Sequence, residues 1–211
     1  MKTPAAATIT PLFVTEIYRA DLSGEAGFEA FIEEIDDTCR AFADDDDAGH
    51  DWCEKNAYPG YTSYGSMSNL TQYAPVFAVL KKQLDAHVHA FAEVLEYDLG
   101  GKKLKLDNIW INILEPGGFH SGHIHPHSVI SGTFYVAVPD KASALKFEDP
   151  RLMGFMNAPP RKTPHRRDHE IFAYEAPAAG TILMWESWLR HEVTMNQSDD
   201  VRISVSFNYG F

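Results

Sequence analysis

The sequence predicts an α+β protein, mainly β, in which helices of the N-terminal half pack on one sheet of an antiparallel sandwich built from the C-terminal half. Two observations predict it. Apolar residues recur at threes and fours up to about residue 100 and at twos from residue 103 onward. In the second half the polar alternates of several strands also fall on one face, which in such a sandwich lines either solvent or an internal cavity.

In chain order, TPLFVTEIYRADL at 10–22 reads as an extended leading strand, rich in β-branched and aromatic residues after Pro11. Phe28, Phe31, Ile32, Ile35, Cys39 and Phe42 then give one helical face between Gly27 and about Ala43. The run Asp44–Asp47 reads as a solvated loop or helix end, because a calcium loop's ligand spacing and central glycine are missing. Residues 56–70, rich in Gly, Ser, Asn and Tyr, are loop. Phe77, Leu80, Leu84, Val88, Phe91 and Leu95 step through a longer helix predicted to end near Gly100-Gly101. His87 and His89 lie two apart on that helix, do not share a face, and are surface or packing histidines.

The strands follow. In DNIWINIL, Asn108, Trp110 and Asn112 alternate with Ile109, Ile111 and Ile113. SGTFYVAV at 131–138, TILMWES at 181–187 and VRISVSFNYG at 201–210 behave similarly, the last setting Val201, Ile203, Val205 and Phe207 against Arg202, Ser204, Ser206 and Asn208. Trp110 and Tyr135 beside the polar positions favour a cavity. Residues 150–170 hold four prolines and five arginines or lysines without a period, which makes them a long loop of the kind that forms lids. The organisation is one domain, 1–211, with a helical elaboration and leading strand over 1–102 and the sandwich core with the site over 103–211.

A formal net charge of −12 disfavours nucleic acid and anionic membranes as partners. Cys39 and Cys53 form no CxxC pair and suit a reducing compartment. MKTPAAATITPLF lacks the form of a secretory signal and no stretch reaches membrane-span length, so a cytoplasmic protein is expected.

The chemistry concentrates in HSGHIHPH at 120–127. Imidazole suits divalent iron, zinc, copper and nickel. Side chains at i and i+2 of a strand share a face roughly 6.5 Å apart, within reach of one ion. His123 with His125 satisfies this, as does His125 with His127; Pro126 marks the strand's end and favours the first pair. His120 is offset by an odd number and is expected to point elsewhere. His191, beyond the strand TILMWES, is the candidate third ligand. Arg202 and Ser204 share a face, and a guanidinium can grip a carboxylate through two parallel bonds; the bland alternative for Arg202 is a surface ion pair with Asp199 or Asp200.

Taken together, HIHPHSVISGTFYV, FEDPR, GTILMWESWLRHEV and VRISVSFNYGF resemble the iron(II)/2-oxoglutarate-dependent oxygenases, in a bacterial and phage branch of that superfamily. The resemblance is strong over about 105–211 and weak before it. It implies a double-stranded β-helix, the cupin-like jelly roll, with Fe(II) at one mouth and 2-oxoglutarate as cosubstrate. His123 and His125 correspond to its first ligand motif and His191 to its distal histidine. Arg202 would hold the far carboxylate of 2-oxoglutarate with Ser204 as neighbour, and Asn112 and Tyr135 would stand with Asn108 and Trp110 in the inner lining. The implied reaction hydroxylates a C–H bond of a small molecule or protein side chain, with release of succinate and carbon dioxide.

One departure stands out: His125 occupies the place of the superfamily's usual carboxylate. A three-histidine iron site, a His125 held back from the metal with water in its place, and a carboxylate from Glu148, Asp149, Glu186 or Glu192 are the open outcomes. The other functional readings are a three-histidine dioxygenase that uses no 2-oxoglutarate and a metal- or ligand-binding sandwich without catalysis. Sheet edges and the helical extension offer surfaces for a homodimer.

Overall fold

In the computed structural model, which describes residues 7–211, the change of period at residue 103 separates helices from sheet as expected. Residues 1–6, the start of the segment read above for a secretory signal, lie outside the described residues. Helix α1 (Phe28–Asp45) starts after Gly27, whose φ of 82° is open to glycine at little cost, and buries Ile35, Cys39 and Ala43. Helix α2 (Asp47–Lys55) follows at once. The aspartate run is therefore only partly solvated: Asp46 is buried, caps α2 by accepting from Gly49 N at 2.9 Å, and accepts from Tyr61 Oη at 2.8 Å.

Helix α3 (Pro75–Val94) starts with proline in its first turn, where the missing N–H costs nothing. It ends before the predicted Gly100-Gly101. Glu96 adopts a φ of 56° and Tyr97 N donates back to Ala92 O at 3.1 Å, so a non-glycine residue closes the helix. The bond from Tyr97 Oη to Glu186 ties this turn to the sheet. His87 accepts or donates a bond with Tyr18 Oη and His89 is exposed, the packing and surface roles expected of them.

Strands β1 (Tyr18–Asp21), β2 (Tyr61–Thr62), β3 (Lys105–Leu114), β5 (Ile130–Ala137), β8 (Thr181–Glu186) and β10 (Arg202–Gly210) form one antiparallel sheet in the order β1-β8-β5-β10-β3-β2. Strands β4 (His120–His123), β6 (Leu145–Glu148), β7 (Phe172–Glu175) and β9 (His191–Val193) form the second, β4-β9-β6-β7. The result is the double-stranded β-helix. Its larger sheet is edged on both sides by N-terminal segments, β1 and β2.

The leading strand is shorter than predicted. Only Tyr18–Asp21 pair, with β8, while Ile9, Leu12, Phe13 and Val14 are exposed along a cleft facing residues 147–151 and 166–171. Strand-like composition does not make a strand without a partner's free edge. The loop 150–170 carries no strand, only short 3-10 turns at Leu152–Phe155 and Arg167–His169.

One face of the larger sheet meets the helices. Ile109, Ile111, Phe134, Ile182, Ile203, Val205 and Phe207 join Ile35, Phe77, Leu80, Leu84 and Phe91 in one apolar cluster. The approach is close enough that a Cβ on Gly132 would stand 2.4 Å from the Phe207 ring. Packing at this density leaves the other face of the sheet free for polar work. No described helix is long and apolar enough to cross a membrane.

Candidate metal centre

Three histidines converge between the two sheets. One ligand nitrogen of each of His123, His125 and His191 lies within 4.8 Å of the others. His123 and His191 are cross-strand partners on β4 and β9, with ring centroids 4.4 Å apart. His125 arrives by another route than the one predicted. β4 ends at His123, so no strand parity carries His125; its N–H donates to Ser187 O at 3.0 Å, which swings the segment inward before Pro126. His127 turns outward with a φ of 71° and is exposed.

Parity fails for His120 as well. The β4–β9 register runs His120↔Val193 and His123↔His191, three residues against two, a bulge that rotates the odd-offset residue onto the same face. His120 therefore does not point elsewhere: its ring stacks on His123 at 4.3 Å, and Tyr58 Oη lies 3.5 Å from its Nδ1. Neither His120 nor Tyr58 had a usable signal, since bulges leave no periodicity and Tyr58 sits in aperiodic loop sequence.

The hydrogen bonds set the ring nitrogens. Nδ1–H of His123 donates to Ser121 O and Nδ1–H of His191 to Leu189 O, both at 2.8 Å, so each directs an Nε2 lone pair at the centre. His125 Nε2 stands 3.2 Å from His191 Nε2. With its Nδ1–H given to Leu189 O, His191 Nε2 is an acceptor, and either Nε2–H of His125 or a cation shared by the two rings can face it. Burial, then the neighbouring imidazoles, hold His191 well below the ordinary histidine range and His125 down to about 4; burial, joined by Arg190, lowers His123. His120 falls to about 3 from the same causes, burial first, with Arg202 adding. All four are neutral at pH 7, the form that ligates. Trp185, edge-on to His191 at 4.6 Å, and Trp110, 6.0 Å from His125, wall the group.

None of the four carboxylates raised as substitutes joins this group. Glu148 pairs with Arg190, Asp149 with Arg151 and Glu192 with Lys146, while Glu186 accepts from Tyr97. Among the described residues the convergent set is all imidazole.

Arg202 lies in the same cavity at 1% exposure. It has no carboxylate partner among the described residues, so it does not form the surface ion pair with Asp199 or Asp200. Its Nη1 donates to Ser204 Oγ at 3.1 Å, its Cζ stands 5.0 Å from the Tyr135 ring centre, and its Nε has no partner. Asn112 donates to Ser206 Oγ and keeps an unpaired Oδ1. Tyr135 is fully buried beneath the guanidinium, its hydroxyl unpaired, and does not reach the cavity wall. A buried cation with an open hydrogen-bonding edge, beside three neutral imidazoles, can receive an anionic ligand that also reaches the metal.

Comparison with known proteins adds the following. Residues 108–208, which hold every residue of the cluster except Tyr58, match the family model described as "Putative 2OG-Fe(II) oxygenase". No curated protein matches the sequence. Among solved structures, a prolyl-4-hydroxylase from Pseudomonas putida is similar at a TM-score of 0.58 and 12% identity, covering 93% of this chain and 92% of its own. The non-heme alpha ketoglutarate dependent epimerase SnoN of nogalamycin biosynthesis is similar at 0.62 and 13%, covering 93% and 78%, and has been solved with Fe3+ and alpha ketoglutarate. A 2OG-Fe(II) oxygenase family oxidoreductase from Burkholderia pseudomallei aligns at 15% identity over 65% of this chain and 59% of its own, with a TM-score of 0.48; the chain thus spans less than two thirds of that relative. At these identities the structural likeness speaks to the fold.

Proposed function

We propose that the chain, whose residues 108–208 match the 2OG-Fe(II) oxygenase family model, is an oxygenase of that family that uses 2-oxoglutarate and dioxygen to hydroxylate a C–H bond of a small molecule or side chain. One observation carries this reading: the imidazole trio and the buried, ion-unpaired Arg202 occupy one cavity. Bound iron(II) with 2-oxoglutarate supplies an oxidant from dioxygen, the keto acid leaving as succinate and carbon dioxide while substrate C–H becomes C–OH.

The residues divide the remaining work. His123, His125 and His191 would hold the ion, the Ser121 and Leu189 carbonyls fixing two of the rings. Arg202 would take the far carboxylate of the cosubstrate through its free edge, with Ser204 holding Nη1 in place and Tyr135 beneath the guanidinium plane. Asn112, whose amide donates one N–H to Ser206 Oγ, would offer its second N–H beside that carboxylate. Trp110 and Trp185 exclude water from the trio. With His125 where a carboxylate is usual, the protein cancels none of the ion's charge, which strengthens its hold on an anionic cosubstrate.

The test is anaerobic titration of the Fe(II) protein with 2-oxoglutarate, followed by aerobic succinate measurement, for wild type, His191→Ala and Arg202→Ala. The metal-to-ligand absorption band should appear in wild type and be lost in both variants. Succinate production that survives both substitutions would sink the site assignment. The all-imidazole set favours a second reading, a three-histidine dioxygenase that needs no keto acid; oxygen uptake with substrate and iron alone would select it.

A further inference from the structure

The cavity continues outward into a pocket of about 430 Å³ that shares His123, His125, Tyr58 and Trp110 with the inner site. The two compartments are sorted by charge. The inner one contains Arg202 and no carboxylate; the outer one contains Asp107 and no lysine or arginine. Its walls are aromatic: Trp110 lies at the base, Tyr64 meets it edge-on with centroids 5.0 Å apart, and Trp52 lies so flat on the backbone that a Cβ at Gly65 would meet its ring at 2.4 Å.

Asp107 reaches this pocket through a second bulge. The β10–β3 register passes from Asn208↔Asn108 to Tyr209↔Leu106, leaving Asp107 as the extra residue and re-aiming its side chain, while Gly210 leaves open the space the carboxylate fills. Asp107 is exposed to solvent at this pocket; among the described residues its side chain makes no hydrogen bond and no ion pair, and partial desolvation raises its carboxyl from the ordinary aspartate value. A pocket lined by an unpaired carboxylate and by Trp52, Tyr64 and Trp110 has the recognition chemistry of an organic cation, held by charge and by ring quadrupoles together.

Resting on the oxygenase reading, we infer that the outer pocket is the substrate site and that its substrate carries an alkylated ammonium, seated between Asp107 and the faces of Trp52, Tyr64 and Trp110. A free amine and a modified lysine side chain share this chemistry.

Choline and its uncharged isostere 3,3-dimethylbutan-1-ol test it by calorimetric titration into the full chain, with a trimethyllysine tripeptide and its norleucine counterpart as the side-chain arm. The cation of at least one pair should bind about tenfold or more tighter than its neutral partner, and the better pair tells the source. Asp107→Asn should cut that ratio at least threefold, and Tyr64→Ala, at a half-exposed wall position that leaves the fold intact, should lower it as well. Neutral partners that bind as well as the cations, or a ratio unmoved by Asp107→Asn, would overturn the inference. The wild-type absorption band with Fe(II) and 2-oxoglutarate separates the failures: with the band present only the substrate class falls, and without it the oxygenase reading falls too and takes this inference with it.

Discussion

Strand β10 has two faces that differ in what their residues are used for. Ile203, Val205 and Phe207 are fully buried against the helices in the main apolar cluster. Arg202, Ser204 and Asn208 are buried nearly as deeply, yet their side of the sheet holds four of the five buried polar atoms that lack a partner among the described residues: Arg202 Nε, Asn112 Oδ1, Tyr135 Oη and Trp185 Nε1. An unsatisfied buried polar group costs about 1–3 kcal/mol. The helix face therefore secures the fold, and the cavity face gives up stability for groups that a ligand satisfies.

Substitution on either side sharpens that contrast. Phe207→Ala should destabilise by about 3–5 kcal/mol and lower the melting temperature by on the order of 10 °C, while the folded fraction keeps its affinity for iron. His191→Ala should weaken iron binding by more than about 100-fold, beyond what losing a ligand's hydrogen-bonding partner costs, with a smaller effect on apo-protein melting. Arg202→Met should weaken 2-oxoglutarate binding by about 100-fold, since a buried charge pair loses about 2–5 kcal/mol when one side is truncated; its melting temperature should hold or rise, because apolar replacement of a buried charge is often stabilising. An Arg202→Met protein as unstable as Phe207→Ala would break the distinction between the faces.

Acid should act strongly through the cavity face. His125, at about 4 in the fold, and His191, well below its usual value, bind protons more readily when unfolded. Metal-free protein should therefore keep this contribution above about pH 6.5 and lose it as pH falls toward 4, at on the order of 1 kcal/mol per pH unit for each histidine. Chemical denaturation of apo protein across that range measures it, and a flat profile would count against neutral buried imidazoles. The smallest effect is expected for Glu192→Gln, whose partly exposed pair with Lys146 should be worth less than about 1 kcal/mol and whose loss should leave iron stoichiometry unchanged.

The strand alternation in DNIWINIL and VRISVSFNYG was legible because a pleat places every second residue on one face, and the structure keeps those faces wherever the ladder is regular. The same rule misplaced His120 and gave the wrong reason for His125, because a bulge and a strand end interrupt the period at the site itself. Asp107 went unnoticed for the same reason. The end of α3 was read six residues late, since glycine was the expected stop and Glu96 took the left-handed turn instead.

The sequence by itself determined the fold class and the helix-facing and cavity-facing sides of the long strands, because both follow from local period; it named the three histidines and the arginine from side-chain chemistry and the family resemblance, not from period. Only the tertiary structure decided that His120 and Asp107 face the cavity, that no carboxylate approaches the imidazole trio, and that Arg202 is left without an ion partner. Those outcomes depend on register shifts and on partners far away in the chain, and the energy that fixes them comes from pairing between strands, which no local pattern records.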